Sequence, residues 1–278
     1  MFAKAFTKAV FALSVSLATL AATQASADAT LDRIKGRGKL TVGVILSGAP
    51  FGYIDPDSQE QKGYNVDLAK ALAADLGVEL ETVTVTPPNR VQFLQQGKVD
   101  LLIANMQYTE ERAKILDYVP TPYDRAGGAA VVRKDSGLKD WDDLKGKPVC
   151  ISQGSNYAQP LAEEYGAIVK GLPSQPESLL ALQGGNCVAA VHVGATVGLL
   201  LVDRADEWKD YAIPFPTELI PSDSVIWLRK GESDTQAALD NSVKKLHASG
   251  KMLEMAKANR LLNTTYLEEE KTKLSAAQ

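Results

Sequence analysis

Histidine and cysteine are nearly missing from these 278 residues, with two of each. None of the four stands in a ligand-spaced cluster, which argues against a structural or catalytic zinc site, and no cofactor is expected. There is no run of lysine or arginine and no basic stretch interleaved with aromatics, so nucleic acid is not an expected partner. No internal repeat recurs at a solenoid period. Beyond residue 27 the longest apolar run, Ala189 to Val202, is interrupted by His192 and falls short of the ~20 residues a spanning helix needs. The bulk of the chain therefore reads as soluble.

The N-terminus has a different character. Lys4 and Lys8 precede an apolar run from Ala9 to Leu20, and Ala25-Ser26-Ala27 follows as a small-residue cleavage site. That pattern predicts a secretory signal peptide, residues 1–27, cut after Ala27. An uncleaved anchor is the alternative, for which the run is short. No cysteine follows the run, so lipid attachment at a new N-terminal Cys is excluded. Removal of 27 residues leaves 251, enough for two domains of ordinary size, with 28 basic against 34 acidic residues and a net charge near −6. An oxidising compartment permits a Cys150–Cys187 bridge. Two buried free thiols are the preferred reading, because sequence alone supplies no Cα separation.

Taken in order, Lys39–Leu46 reads as a strand and Ser47–Tyr53 as a loop leaving its end. Asn65 is placed as the cap of a helix reaching Leu76, with Gly77 at its C-terminus. Val78–Val85 is the next strand, and Asn89 caps a short helix through Gln96. Strand, helix, strand, helix, strand implies parallel pairing with right-handed crossovers, an open α/β sheet that takes ligands at the C-terminal ends of its strands. A second α/β unit follows. It contains a short helix at Trp141–Leu144, a strand at Pro148–Ser152, a turn at Gln153–Tyr157 opening a helix, an edge strand at Ile168-Val169 and a helix with Pro176 in its first turn. Cys187–Val193 is its next strand. After Pro214, Pro216 and Pro221 come a strand at Val225–Leu228, a helix capped by Asp234 and ending near His247, and a last helix at Lys251–Leu262. Residues 264–278 read as a solvated tail.

One stretch concentrates the chemistry: VDLLIANMQYTEERAKILDYVPTPY, Val99–Tyr123. A buried strand turns at Asn105–Tyr108, and Thr109 suits a helix N-cap. Glu110 and Glu111 fit the positive first turn, whereas Arg112 adds to it. That makes sense if the partner is an anion from outside the chain, since helix-start N–H groups and a guanidinium fork form a carboxylate or phosphate socket. The alternative is a surface arginine paired with Glu110, Glu111 or Asp117.

The segments DRIKGRGKLTVGV, APFGY, KGYNVDLAKALAADLGV, NRVQFLQQGKVDLLIANMQYTEERAKILDY, VVRKDSGLKDWDDLKGKPVCISQGSN, LLALQGGNCVAAV and VIWLRKG resemble, in that order, the solute-binding proteins of polar amino-acid ABC importers, bacterial extracellular family 3. The resemblance implies the two-lobe, type II periplasmic binding fold, a flytrap with two hinge crossovers, here near Pro122–Ala126 and Ile220–Asp223. Lobe 1 would comprise 28–123 and 222–263, lobe 2 residues 124–221, and 264–278 a C-terminal tail. The implied partners are a small carboxylate-bearing solute and an ABC permease in the inner membrane, with the protein a periplasmic monomer. Arg112 matches the arginine that grips the ligand carboxylate. Asn105 matches a backbone N–H donor and Gln107 a side-chain donor, while Gly154, Ser155 and Asn156 match the turn that completes the clamp. Asn89 and Arg90 match too and read as structural.

Three positions depart from the family. Val193 stands where an aspartate usually holds the ligand ammonium, Gly48 where an aromatic often covers the ligand, and Ile45 where some relatives carry an acid. Phe51, Tyr53 or Tyr108 would then supply ring surface and Asp223 a substitute negative charge. His192 faces either the cleft or a satisfied core. Two other functions share the fold. One is a dehydratase needing a cleft acid, for which Glu218 and Asp223 stand near the hinge without a partner. The other is a ligand-degenerate relative that contacts a sensor or permease.

Overall fold

The computed structural model describes residues 29–276. The expected signal peptide lies outside them. In chain order the first unit holds α1 (Ala29–Arg37), β1 (Lys39–Val44), the hairpin β2 (Tyr53–Ile54) and β3 (Gln61–Lys62), α2 (Tyr64–Leu76), β4 (Glu79–Thr84), α3 (Arg90–Gln95), β5 (Leu101–Ile103), α4 (Glu110–Ile115) and β6 (Asp117–Tyr118). The ten-residue β7 (Asp124–Arg133) carries the chain to β8 (Pro148–Ser152), α5 (Ala158–Glu163), β9 (Ile168–Leu172), α6 (Gln175–Gln183), β10 (Ala189–Val193), α7 (Gly194–Asp203), β11 (Tyr211–Ala212) and β12 (Leu219–Ser224). Then β13 (Trp227–Leu228), α8 (Ser233–Ala248), α9 (Lys251–Ala258) and α10 (Thr265–Ser275) return to the first unit.

Two sheets result, ordered β4-β1-β5-β13-β6 and β11-β7-β10-β8-β9, with β12 also on β7. In the first, β1 runs parallel to β4 and β5 and is buried along nearly its whole length, as expected of a strand with helices on both faces. The edge strand β4, ELETVT, alternates exposed and half-buried residues. The chain passes between the sheets twice, side by side, because the start of β7 pairs antiparallel with the end of β12: Asp124 opposite Ser224, Arg125 opposite Asp223. Each sheet has its own apolar core. In the first, Leu40, Val42, Leu101 and Leu68 meet Leu239, Val243 and Met252 from the C-terminal helices. In the second, Val149, Ile151, Val191 and Trp141 meet Leu161 and Phe215.

Several sequence expectations need correction. Residues 264–276 are not a solvated tail, because α10 buries Leu267 in the first core. Asn65 does not cap α2. The helix begins after Gly63 with no side-chain cap, and the buried Asn65 donates to Asn105 instead. Asn89 does hold the N-cap position of α3, but its Oδ1 accepts the N–H of Thr86 rather than one from the helix, and Asp234 falls inside α8 rather than at its cap. The helix expected at Lys251–Leu262 is α9 and stops at Ala258. Helix α7 was not anticipated, since its apolar sequence GATVGLLLVD continues from β10 without any cap signal. Cys150 and Cys187 are bridged, not free, with Cα atoms 5.8 Å apart. Parallel pairing of β8 with β10 brings the two positions together.

Candidate functional site

Strand β5 ends in a turn, residues 104–109, held from three directions. Arg90 Nη1 donates to the carbonyls of Ala104 at 2.6 Å and Asn105 at 3.2 Å. Trp227 Nε1 donates to Met106 O at 2.7 Å, and the Tyr108 N–H to Asp223 O at 2.8 Å. Asn105 sits in the left-handed region, φ 47°, a conformation asparagine tolerates better than most residues. Thr109 caps α4 by accepting the N–H of Arg112 at 3.2 Å. That helix has only six residues and its cap is internal, so the anion-attracting element at this point is the guanidinium rather than a helix terminus.

Arg112 donates from Nη1 to Gln107 O at 2.6 Å and from Nη2 to Gly154 O at 3.0 Å. Arg90 Nη2 reaches the same Gly154 carbonyl at 3.3 Å. Two guanidiniums of one lobe therefore converge on a single neutral oxygen of the other. Among the described residues neither makes an ion pair: Glu111 pairs with Lys114, Asp117 with Lys230, and Glu110 with neither arginine. Burial pushes both below the usual guanidinium range, Arg90 to about 9 with Arg112 as a second cause and Arg112 to about 10. Both stay charged at neutral pH, in surroundings that penalise charge without supplying a counterion.

Arg90, but neither Arg112 nor Gly154, lines a cavity of about 60 Å³. Asn105, Gln107, Ser155, Asn156 and Val193 line it. Asn156 Nδ2 is shielded from solvent and has no acceptor among the described residues, a condition that costs free energy unless a partner arrives. Gln107 Nε2 donates across the seam to Tyr157 OH at 3.4 Å. His192 contributes to the wall, yet its Nε2 is bound to Ser178 Oγ at 2.8 Å. Burial pushes its pKa down to about 3, so it is neutral. No aspartate or glutamate lines the cavity.

The other expected residues lie elsewhere. Phe51 is buried in the first core against Tyr64, ring centroids 6.4 Å apart, because the loop turns its ring inward. Tyr53 is used by the β2–β3 hairpin. Tyr108 stacks on Trp227 and packs beside Tyr118. The Asp223 carboxylate is directed outward to Arg125 at 3.3 Å, so only its backbone carbonyl serves the turn. Ile45 and Gly48 do reach the cleft, the former in the small cavity and the latter in an adjacent groove. Sequence reasoning missed Arg90 as more than a scaffold residue, together with Ser47, Ser152, Tyr157 and Gln175. Ser47 and Ser152 stand at strand ends, the one signal that would have found them. Glu218 and Asp124 meet in a separate cavity of about 250 Å³ by the β7–β12 passage. Burial raises both carboxyls, Asp124 to about 7.

The profile of the bacterial extracellular solute-binding proteins, family 3, matches residues 40–259. The chain belongs to that family. Among family members it is similar to the ABC transporter glutamine-binding protein of Bacillus subtilis, 33% identical over 236 residues that cover 82% of this chain and 83% of that protein. Among solved structures it resembles a mutant of ArgBP from T. maritima, with TM-score 0.75 and 31% identity over 82% of this chain and 98% of that one. It also resembles an ancestral amino-acid-binding protein described as a precursor of cyclohexadienyl dehydratase, with TM-score 0.73 and 28% identity over 82% and 98% of the two chains. The two sheet-centred lobes joined by paired β7 and β12 are the type II periplasmic binding fold of this solute-binding family. Among the described residues no helix is long and apolar enough to cross a membrane.

Proposed function

We propose that this solute-binding protein is the substrate-binding component of an ABC importer, capturing a small carboxylate-bearing solute between its lobes and delivering it to an inner-membrane permease. One observation carries the reading. Arg90, which lines the cavity beside an unsatisfied Asn156 amide, and Arg112, which shares the Gly154 carbonyl with it, both lack acidic partners. A carboxylate there would supply the missing charge and the missing acceptor together. Residues 28–123 and 222–263 form lobe 1 in this reading and 124–221 lobe 2, with α10 belonging to lobe 1. The protein works as a periplasmic monomer after cleavage behind Ala27. It acts by binding rather than by turnover: Asp124 and Glu218 occupy the hinge cavity, apart from the two arginines. Purified protein is expected not to turn over prephenate or arogenate, and measurable dehydration would reverse this assignment.

The direct test is Arg112→Ala. Removing one partner of a buried charge pair costs about 2–5 kcal/mol, or roughly 30- to 5,000-fold in affinity. Calorimetry against a carboxylate that stabilises the wild type should show that loss, with the melting curve of the unliganded protein little changed. An unaltered dissociation constant would remove Arg112 from the site.

A further inference from the structure

The polar cavity is too small to be the whole site. At about 60 Å³ it is small, whereas small-molecule sites are usually several-fold larger. Ser47 and Gln175, which line it, also line a groove of about 450 Å³ between the loop after β1 and helices α6 and α7. The groove wall is mostly apolar, with Pro176, Leu179, Leu199, Leu200 and Trp208, and its charged members are ion-paired, Asp203 with Arg260 and Arg204 with Glu207. Gly48 borders it from the opposite lobe, and a Cβ added there would meet Thr196 Cγ2 at 3.4 Å, an ordinary contact. No ring therefore closes the passage at this point. Thr196 is 4% exposed, lines the groove, and has an Oγ1 without a hydrogen-bond partner among the described residues.

The charges agree with this geometry. An ammonium placed in the cavity would lie beside the Arg90 guanidinium, which shares the Gly154 carbonyl with Arg112, with no carboxylate in the wall and Val193 at the end of β10. Glu218 is the acid near that strand end, close to Gly127 and Gly194, but its carboxylate accepts the Gly127 N–H and lines the hinge cavity. Building on the carboxylate reading above, we propose that the solute is a carboxylate without an α-ammonium group, whose apolar body runs past Ser47 and Gln175 into the groove beside α6 and α7. The groove is then the part of the site that reads the solute's size, and the arginine pair is the part that reads its charge.

Matched pairs of compounds test this on the wild-type protein by calorimetry and thermal shift. Octanoate should bind at least about tenfold tighter than 2-aminooctanoate, which differs only in the ammonium group. It should also bind at least about tenfold tighter than propionate, which cannot reach the groove, as expected when several methylenes leave water. Gly48→Phe, which places a ring at the groove mouth, should reduce the advantage of octanoate over propionate. Val193→Asp should shift the preference toward the amino form. Equal or tighter binding of 2-aminooctanoate, or indifference to chain length, overturns the inference while leaving the carboxylate site standing. Failure of all three compounds and of common α-amino acids to bind overturns the carboxylate site and this inference with it.

Discussion

Gly154 is the residue on which the closed seam depends most directly, and its substitution separates local strain from lobe closure. Its φ is +77°, and a Cβ built on it would lie 2.9 Å from the carbonyl oxygen of Pro87, across the cleft. Alanine would therefore act twice. Holding a non-glycine residue in the left-handed region costs of order 1–3 kcal/mol. That term is local to the turn and acts whether the lobes are open or closed, so it lowers the melting temperature of the unliganded protein. The contact with Pro87 exists only when the lobes meet. Relieving it requires movement of backbone on one side, with an overpacking cost of about 1–3 kcal/mol charged to the closed state alone. Because ligand binding is coupled to closure, that cost should appear as about 5- to 150-fold weaker binding. Gly154→Asn is the control, since asparagine tolerates positive φ but carries the same Cβ. It should lose affinity like the alanine variant while melting closer to wild type. Calorimetry with a stabilising carboxylate, beside melts without ligand, reads both terms. Wild-type affinity in both variants would show that the ligand-bound lobes do not meet at Gly154 and Pro87.

The Asp124 carboxyl, raised to about 7 by burial, should make stability fall as pH rises between about 4 and 7, because over that window the folded state holds a proton that the unfolded state has lost. Its slope of up to about 1.4 kcal/mol per pH unit should vanish in Asp124→Asn melts. His192 works in the opposite sense: held neutral with a pKa near 3, it should cost stability as pH falls below about 6.5, and a polar uncharged replacement should flatten that limb. Reduction of the Cys150–Cys187 bridge, which spans 37 residues, should lower stability by about 4 kcal/mol in a chain-entropy estimate, measured by denaturant melts with and without dithiothreitol. Leu267→Ala should cost about 2–5 kcal/mol, since that side chain is 1% exposed in the first core, and an effect under half a kcal/mol would return α10 to the status of a solvated tail.

Local signals in the sequence read well wherever the physics is local. The apolar run of β1, the Thr109 cap of α4, the short helix at Trp141–Leu144 and Pro176 opening α6 all depend on neighbours within a few residues, and the structure has them. Local signals misled where two outcomes share one residue type. Asn65 and Asp234 are good caps by composition, but burial against Asn105 and a cap two residues earlier, at Glu232, took precedence. The aromatic and acidic substitutes for Gly48 and Val193 failed for a related reason. Sequence shows that Phe51 and Tyr53 follow Gly48 closely and that Asp223 falls at a crossover, not which way each side chain points.

What the sequence by itself determined was the α/β alternation, the family and the position of Arg112 after β5, because periodicity, caps and motif spacing are properties of the chain in order. Only the tertiary structure decided that Arg90 joins Arg112 on Gly154, that Cys150 and Cys187 bridge, and that an apolar groove continues from the polar cavity. Each of these joins groups far apart in sequence, and their distances are set by how the two sheets pack and close rather than by any short stretch of residues.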